Sequence, residues 1–178
     1  SEVDEVVERL RRISEELDRR VKKLVKDARR ISKELEEAVR RVVKTAKDAN
    51  KELRKEVRER RTDESVVREN HKTIEDVVRE LEKVLEEDRK TVEEVVRAAR
   101  KVVEDDEKTV EDIVRLAKAG VDVDTLAEDA KRSARETEEI LRRLVKKLEE
   151  SARDTKRIID ELDKELKDSN EEVRRRLK

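Results

Sequence analysis

The single histidine of the chain, His71, is the first side chain to consider for chemistry. If the helices of this chain pair antiparallel, His71 comes near Asp168 and Ser169, and these three residue types are those of a hydrolytic triad. No strained turn or oxyanion hole accompanies them, and Asp168 falls outside the apolar face of its helix. We therefore interpret His71 as a partly exposed residue beside the core, and we predict no catalytic residues.

Asp88 and Asp106 are the second candidates, because buried carboxylates can act as acids or bind metals. They are 18 residues apart on one predicted helix, or about 27 Å at 1.5 Å per residue, which is too far for a catalytic pair. One carboxylate among hydroxyls is also a poor site for a divalent cation. We predict that the protein is not an enzyme and holds no metal or other cofactor.

The composition argues against several classes of partner. Of 178 residues, 56% are charged and none is aromatic or cysteine, and 49 basic residues balance 50 acidic ones. Base stacking needs aromatic side chains, and affinity for nucleic acid needs a positive surface. We therefore expect no nucleic-acid binding, and we interpret basic runs such as Arg174–Arg176 as solvated helix ends. No apolar stretch exceeds three residues, so we expect no membrane span and a soluble chain, cytoplasmic if a host expresses it.

Apolar residues recur at i, i+3, i+4 and i+7 along most of the chain, as in amphipathic helices. The first break comes at residues 61–63, where Thr62 or Asp63 can cap a second helix. The second break comes at Gly120, which suits the left-handed end of a helix, and Thr125 with Glu128 has the spacing of a capping box. The sequence thus predicts helices over residues 2–60, 64–119 and 123–177, within a single domain of residues 1–178.

Short connections between long helices require antiparallel neighbours, so the predicted fold is all-α, an elongated up-down-up three-helix bundle. Each helix also contains an 18-residue repeat. In the second helix, residues 72–79, 90–97 and 108–115 all begin Lys-Thr followed by Ile or Val, and in the third helix residues 133–137 resemble residues 151–155. Eighteen residues make five turns at 3.6 residues per turn, so the helices are expected to be nearly straight.

Small polar residues lie inside the apolar arc of each helix, at the same 18-residue interval. In antiparallel pairing they coincide in three layers. The first layer contains Ser14, Asp106, Ser133 and Thr137; the second contains Ser32, Asp88, Ser151 and Thr155; the third contains Asn50, Asn70 and Ser169, with Asn170 beside it. A buried polar group without a partner costs several kcal/mol, so we predict hydrogen-bonded layers that specify the register of the helices. The alternative is that these are small residues tolerated along a narrow seam.

The near-repeating helical units, the core of Val, Ile, Leu and Ala and the surface of Glu, Lys and Arg follow general rules of protein design. In these features the whole chain resembles de novo designed, parametrically generated helical bundles with buried hydrogen-bond networks. Natural spectrin-like three-helix repeats are similar in architecture, but they carry aromatic residues and less regular repeats.

The resemblance implies a structural scaffold that is monomeric, requires no partner and has no natural biochemical activity. A second interpretation is a binding or switch component, in which the polar layers weaken the hold of one helix so that a partner chain or a second copy can replace it. A third is a segment of a natural cytoskeletal or adaptor coiled coil, which would have less regular repeats than this chain.

Overall fold

Three long helices form the described part of the chain, residues 2–178 of a computed structural model. Helix α1 spans Glu2–Glu59, α2 spans Ser65–Lys118 and α3 spans Asp124–Leu177, and they pack as an all-α three-helix bundle. Each boundary lies within one residue of its predicted position, because apolar periodicity and capping residues are local signals. No strand occurs within residues 2–178, and no helix there has a segment that is both long and apolar enough to cross a bilayer.

The residues group into two compact units, to which every helix contributes. Unit 1 contains the chain up to Arg30 together with Lys90–Leu148, and unit 2 contains Ile31–Arg89 and Glu149–Lys178. The sequence, which predicts one domain over residues 1–178, contains no signal for this division.

In unit 1 the start of α1 packs against the end of α2. Leu10 forms an apolar cluster with Ile113, Ala117 and Val123. Further along α1 the buried Leu17 faces preceding turns of α2 and later turns of α3. The residue numbers rise along α1 as they fall along α2, so the two helices are antiparallel, as predicted. Burial of these aliphatic side chains supplies the main favourable term in folding.

Unit 2 has two apolar clusters of the same kind. Leu53, Val57, Val67 and Val173 form one of them, close to the connection between α1 and α2. The other cluster contains Ala46, Ile74, Leu162 and Leu166. Both clusters take residues from all three helices, so the polar positions between them have apolar contacts of all three helices on either side.

The connection between α1 and α2 ends α1 with a left-handed residue that is not glycine. Arg61 has φ 52°; its N–H donates to the carbonyl of Arg58, and the N–H of Thr62 donates to the carbonyl of Val57 over 3.0 Å. These two hydrogen bonds define a Schellman motif. The hydroxyl of Thr62 also donates to Val57, so Thr62 caps the end of α1 and not the start of α2.

Asp63 caps α2, because its Oδ1 accepts the N–H of Ser65 over 3.0 Å. Hydrogen bonds from the hydroxyl and the backbone N–H of Ser65 hold the pKa of Asp63 below its usual value. Of the two capping residues considered from the sequence, Asp63 is therefore the one that begins the second helix.

The connection between α2 and α3 repeats this geometry. Gly120 has φ 85°, and the N–H of Val121 donates to the carbonyl of Leu116 over 3.1 Å, so the predicted C-terminal role of Gly120 is confirmed. Asp122 Oδ1 accepts the N–H of Asp124. The predicted capping box is wrong, because α3 has already begun at Asp124 and Thr125 lies within its first turn.

Candidate functional site

The polar residues of the predicted first layer lie in unit 1, and only two of them bond to each other across helices. The hydroxyl of Ser14 on α1 donates to Asp106 Oδ2 on α2. Ser133 on α3 is exposed, which contradicts its predicted place in the core, and the half-buried Thr137 donates to the carbonyl of Ser133 within its own helix. The reason is that α2 and α3 leave an open groove beside these residues.

Acidic side chains surround the Ser14–Asp106 pair. Asp18 lies one turn after Ser14, and its Oδ1 is buried without a hydrogen-bond partner among residues 2–178. Burial, followed by the negative charges of Asp106 and Glu107, raises the pKa of Asp18 above its usual value. Asp18 was not predicted from the sequence, because the residue lies at the edge of the apolar arc and outside the repeated polar positions.

The second layer lies in unit 2 around a buried carboxylate. Ser151 on α3 donates a 2.8 Å hydrogen bond to Asp88 Oδ1 on α2. Thr155, only 1% exposed, donates to the carbonyl of Ser151 over 2.8 Å. Ser32 on α1 is half-buried. The direct bond across helices therefore joins α2 to α3.

The third layer, also in unit 2, contains three buried asparagines. Asn70 Nδ2 donates to Asn170 Oδ1 over 3.1 Å, and Asn70 Oδ1 accepts the hydroxyl of Ser169 over 2.9 Å. Asn50 Nδ2 donates to the carbonyl of Val67 instead of Asn70. Asn50 Oδ1 is buried without a partner among the described residues. The bonded set is thus Asn70, Ser169 and Asn170, with Asn50 joined to the backbone beside it.

A buried glutamate in unit 1 was not predicted. Glu138 on α3 is buried, and its Oε1 accepts Nε of Arg20 on α1 over 2.9 Å and Nη2 of Arg142 over 2.8 Å. Its counterparts in the repeat are not glutamates, so periodicity carried no signal for it. The preceding residue, Thr137, does recur in the repeat, as Thr155.

His71 lies where a partly exposed residue is expected. Its Nε2 is 2.9 Å from Oε1 of Glu75, one turn further along α2, and both side chains are more than half exposed. Asp168 is exposed as well, and the hydroxyl of Ser169 is directed to Asn70. The three residues do not form the geometry of a triad, in which histidine bonds to both serine and aspartate.

The basic runs lie at helix ends in unit 2 and bond to acidic or carbonyl oxygens there. Arg60 Nη1 donates to the carbonyl of Leu177 at the end of α3 over 2.6 Å. Arg174 pairs with Glu56, and Arg176 pairs with Glu172. A cation at the C-terminal end of a helix is favourable because it complements the helix dipole.

An open groove of about 730 Å³ lies between α2 and α3 in unit 1. Its floor includes the buried residues Leu17, Val102 and Ile113, and its walls include Ser133 and Thr137. Three large apolar side chains that line it are exposed: Leu116 by 39%, Leu126 by 42% and Ile140 by 53%. Apolar periodicity alone cannot show that the space opposite these residues is empty.

Residues 2–178 contain no group of three or more His, Cys, Asp or Glu side chains arranged to hold a metal ion. Comparisons of the chain with protein-family models, with curated proteins and with solved structures find no match.

Proposed function

We propose that this chain is a de novo designed structural scaffold, without natural biochemical activity, whose buried polar positions specify the register of its helices. It requires neither a cofactor nor a partner. One observation carries the proposal. Each of the three equivalent polar positions of α2, Asn70, Asp88 and Asp106, accepts a hydrogen bond from a serine hydroxyl on another helix, namely Ser169, Ser151 and Ser14.

Two further features support the proposal. The repeated polar positions are costly to bury and are compensated only in one register, since a shift by one residue turns each side chain by about 100° away from its acceptor. The two connections also share the same Schellman and aspartate-cap geometry. Repetition of both helix and loop geometry favours design, and the comparisons, which find no match, are in keeping with it.

The test is to replace the polar contacts of unit 2 by apolar ones. In this variant Asn70, Asp88 and Asn170 become Leu, and Ser151 and Ser169 become Ala. Because both partners of each bond are removed, the free energy of unfolding is expected to stay equal or to rise. If the polar residues specify register, the variant loses its single state, which analytical ultracentrifugation and the number of backbone amide resonances report.

The matched control is Asp88→Asn alone, which keeps a side-chain oxygen that can accept the hydroxyl of Ser151. This variant is expected to remain one monomeric species. A fully apolar variant that is equally monomeric and gives one set of resonances would contradict the role in register. A parent chain that is unfolded or associated before any substitution would contradict the scaffold proposal itself.

A binding component is the second candidate function, and the groove of unit 1 favours it. Thr137 is half-buried beside this groove, whereas Thr155, at the equivalent position of the next repeat, is almost completely buried. A scaffold with a fully closed core would not expose Leu126 and Ile140 together along one groove.

A further inference from the structure

The groove of unit 1 exposes residues whose equivalents elsewhere in α3 are covered. Leu126 is 42% exposed, whereas Leu162, two repeats later, is 2% exposed. Ile140 is exposed, whereas Ile158, one repeat later, is half-buried. Since the residue types are identical, the difference comes from what lies opposite each position. In unit 1 the place that a helix would fill between α2 and α3 is open.

The polar rim of the groove is acidic. Asp105, Asp106, Asp112 and Asp129 line it, against one basic residue, Lys101. Asp106 already accepts the hydroxyl of Ser14, but the other acidic side chains stand on the solvent side. Asp112 and Asp129 have only loose contacts with arginines of their own helices, at 3.6 and 3.8 Å between exposed side chains, which contribute little.

We propose that this groove binds a basic amphipathic helix of another polypeptide. The inference rests on the second candidate function, binding, and it names the site and the class of partner. An amphipathic helix laid in a groove presents apolar residues at i, i+3, i+4 and i+7, and these would cover Leu116, Leu126 and Ile140. Lysine or arginine residues beside that apolar stripe would face the aspartates of the rim.

A second copy of the chain fits the groove less well than a basic helix. Two grooves facing each other around a two-fold axis would bring Asp112 and Asp129 of one copy close to the same aspartates of the other, because a two-fold interface uses one surface twice. Like charges brought together in this way oppose association. The charge of the rim therefore selects a partner of opposite sign.

The probe is a fluorescein-labelled, 21-residue helical peptide of Leu and Lys, with Leu on one face, and its binding to the full chain is followed by fluorescence anisotropy. A peptide with Glu in place of every Lys is the charge control. We expect saturable binding of the Leu/Lys peptide that weakens with added salt, and binding at least about tenfold weaker for the Leu/Glu peptide.

Substitutions within the chain locate the site. Leu126→Asn and Ile140→Asn are each expected to weaken the binding of the Leu/Lys peptide by about tenfold, since each removes the burial of one large apolar side chain. Val121→Asn is the matched control, because Val121 is exposed to a similar extent but does not line the groove. It is expected to leave the affinity unchanged.

Charge reversal provides an independent test. Asp112→Lys combined with Asp129→Lys is expected to weaken the Leu/Lys peptide and to strengthen the Leu/Glu peptide. Asp154→Lys is the control in unit 2, because Asp154 has an equally loose contact with Arg157 at 3.7 Å. Asp112 and Asp129 are exposed, and so are the arginines that they contact. The charge-reversal variant is therefore expected to fold even if Leu126→Asn does not.

Three results would overturn the proposal: no saturable binding of the Leu/Lys peptide, binding that the groove variants and their controls affect equally, or a dimer of the free chain that Ile140→Asn dissociates. Circular dichroism and sedimentation of every variant without peptide separate these outcomes from a failure of the scaffold. Low helix content in the parent chain, or association that Ile140→Asn leaves intact, counts against the scaffold. A folded monomer that does not bind the peptide, or a dimer that Ile140→Asn converts to a folded monomer, counts against the groove alone.

Discussion

The hydroxyl of Ser151 on α3 donates a 2.8 Å hydrogen bond to the buried carboxylate of Asp88 on α2. Ser133 stands at the equivalent position one repeat earlier, with the same alanine and arginine after it, yet it is exposed. The two serines therefore form a matched pair, in which the local sequence is nearly constant and the tertiary contact differs.

Ser151→Ala is expected to lower the free energy of unfolding by about 1–2 kcal/mol, because it removes a hydrogen bond to a buried acidic group. Ser133→Ala is expected to be neutral or stabilising by up to about 0.5 kcal/mol, since alanine has the higher helix propensity. Urea unfolding followed by circular dichroism measures both values. Equal effects at the two positions would mean that the bond to Asp88 contributes nothing.

Asn50 and Asn70 are predicted to respond in opposite directions to the same substitution. Asn50→Leu removes a buried oxygen that has no partner among the described residues, and we expect no change or a gain of about 1 kcal/mol. Asn70→Leu removes the partner of both Ser169 and Asn170, and we expect a loss of about 1–2 kcal/mol. Thermal and urea unfolding of the two variants would contradict this if Asn50→Leu proved the more destabilised.

Substitutions of the left-handed residues in the two connections are expected to change stability in opposite directions. Arg61→Gly is expected to stabilise the protein by about 0.5–1 kcal/mol, because the β-carbon of arginine is unfavourable at φ 52°. Gly120→Ala is expected to cost about 1 kcal/mol. That cost comes from the backbone alone, since a β-carbon on Gly120 would meet no atom within 4 Å beyond those of its two chain neighbours.

Glu59→Gly, in the last turn of α1, is the control for Arg61→Gly, and it should destabilise the protein because the backbone there is helical. Calorimetric melting temperatures of the three variants measure the effect. A lower melting temperature for Arg61→Gly than for the parent would show that other contacts of the arginine outweigh its backbone strain.

Asp18 predicts a pH dependence. Its pKa in the folded protein is raised above the usual 3.8 by burial and by Asp106 and Glu107, against the smaller opposing effect of Lys22. Between the unfolded and the folded pKa the native state binds more protons than the unfolded state, so stability falls as the pH rises through this range. At neutral pH the ionised Asp18 therefore destabilises the fold.

Asp18→Asn is expected to raise the free energy of unfolding at pH 7, by less than about 1 kcal/mol because solvent screens a group that is only partly buried. At a pH well below 3.8 the substitution should have almost no effect, since the carboxyl group is then protonated in both states. Urea unfolding of parent and variant across this range is the measurement. A gain of the same size at both pH values would assign the effect to shape or hydrogen bonding instead of charge.

The sequence determined the helices, their ends and the polar positions of α2, because each depends on neighbours within a few residues. Apolar periodicity placed all six helix boundaries within one residue, and Gly120 marked the end of α2 by its freedom at positive φ. Asn70 and Asp88 are buried, and Asp106 is half-buried. All three have partners on other helices, because their 18-residue interval returns to the same face of the helix.

Which of the other polar residues form hydrogen bonds depends on contacts between helices that are far apart in the chain. Ser133 and Ser151 have nearly the same neighbours in sequence, but Ser133 lines the open groove, whereas Ser151 is half-buried and bonds to Asp88. Glu138 is buried because Arg20, far away in the chain, neutralises it, and no local pattern contains that pairing. The groove is likewise a property of separated helices, since an exposed and a covered leucine occupy the same place in the repeat.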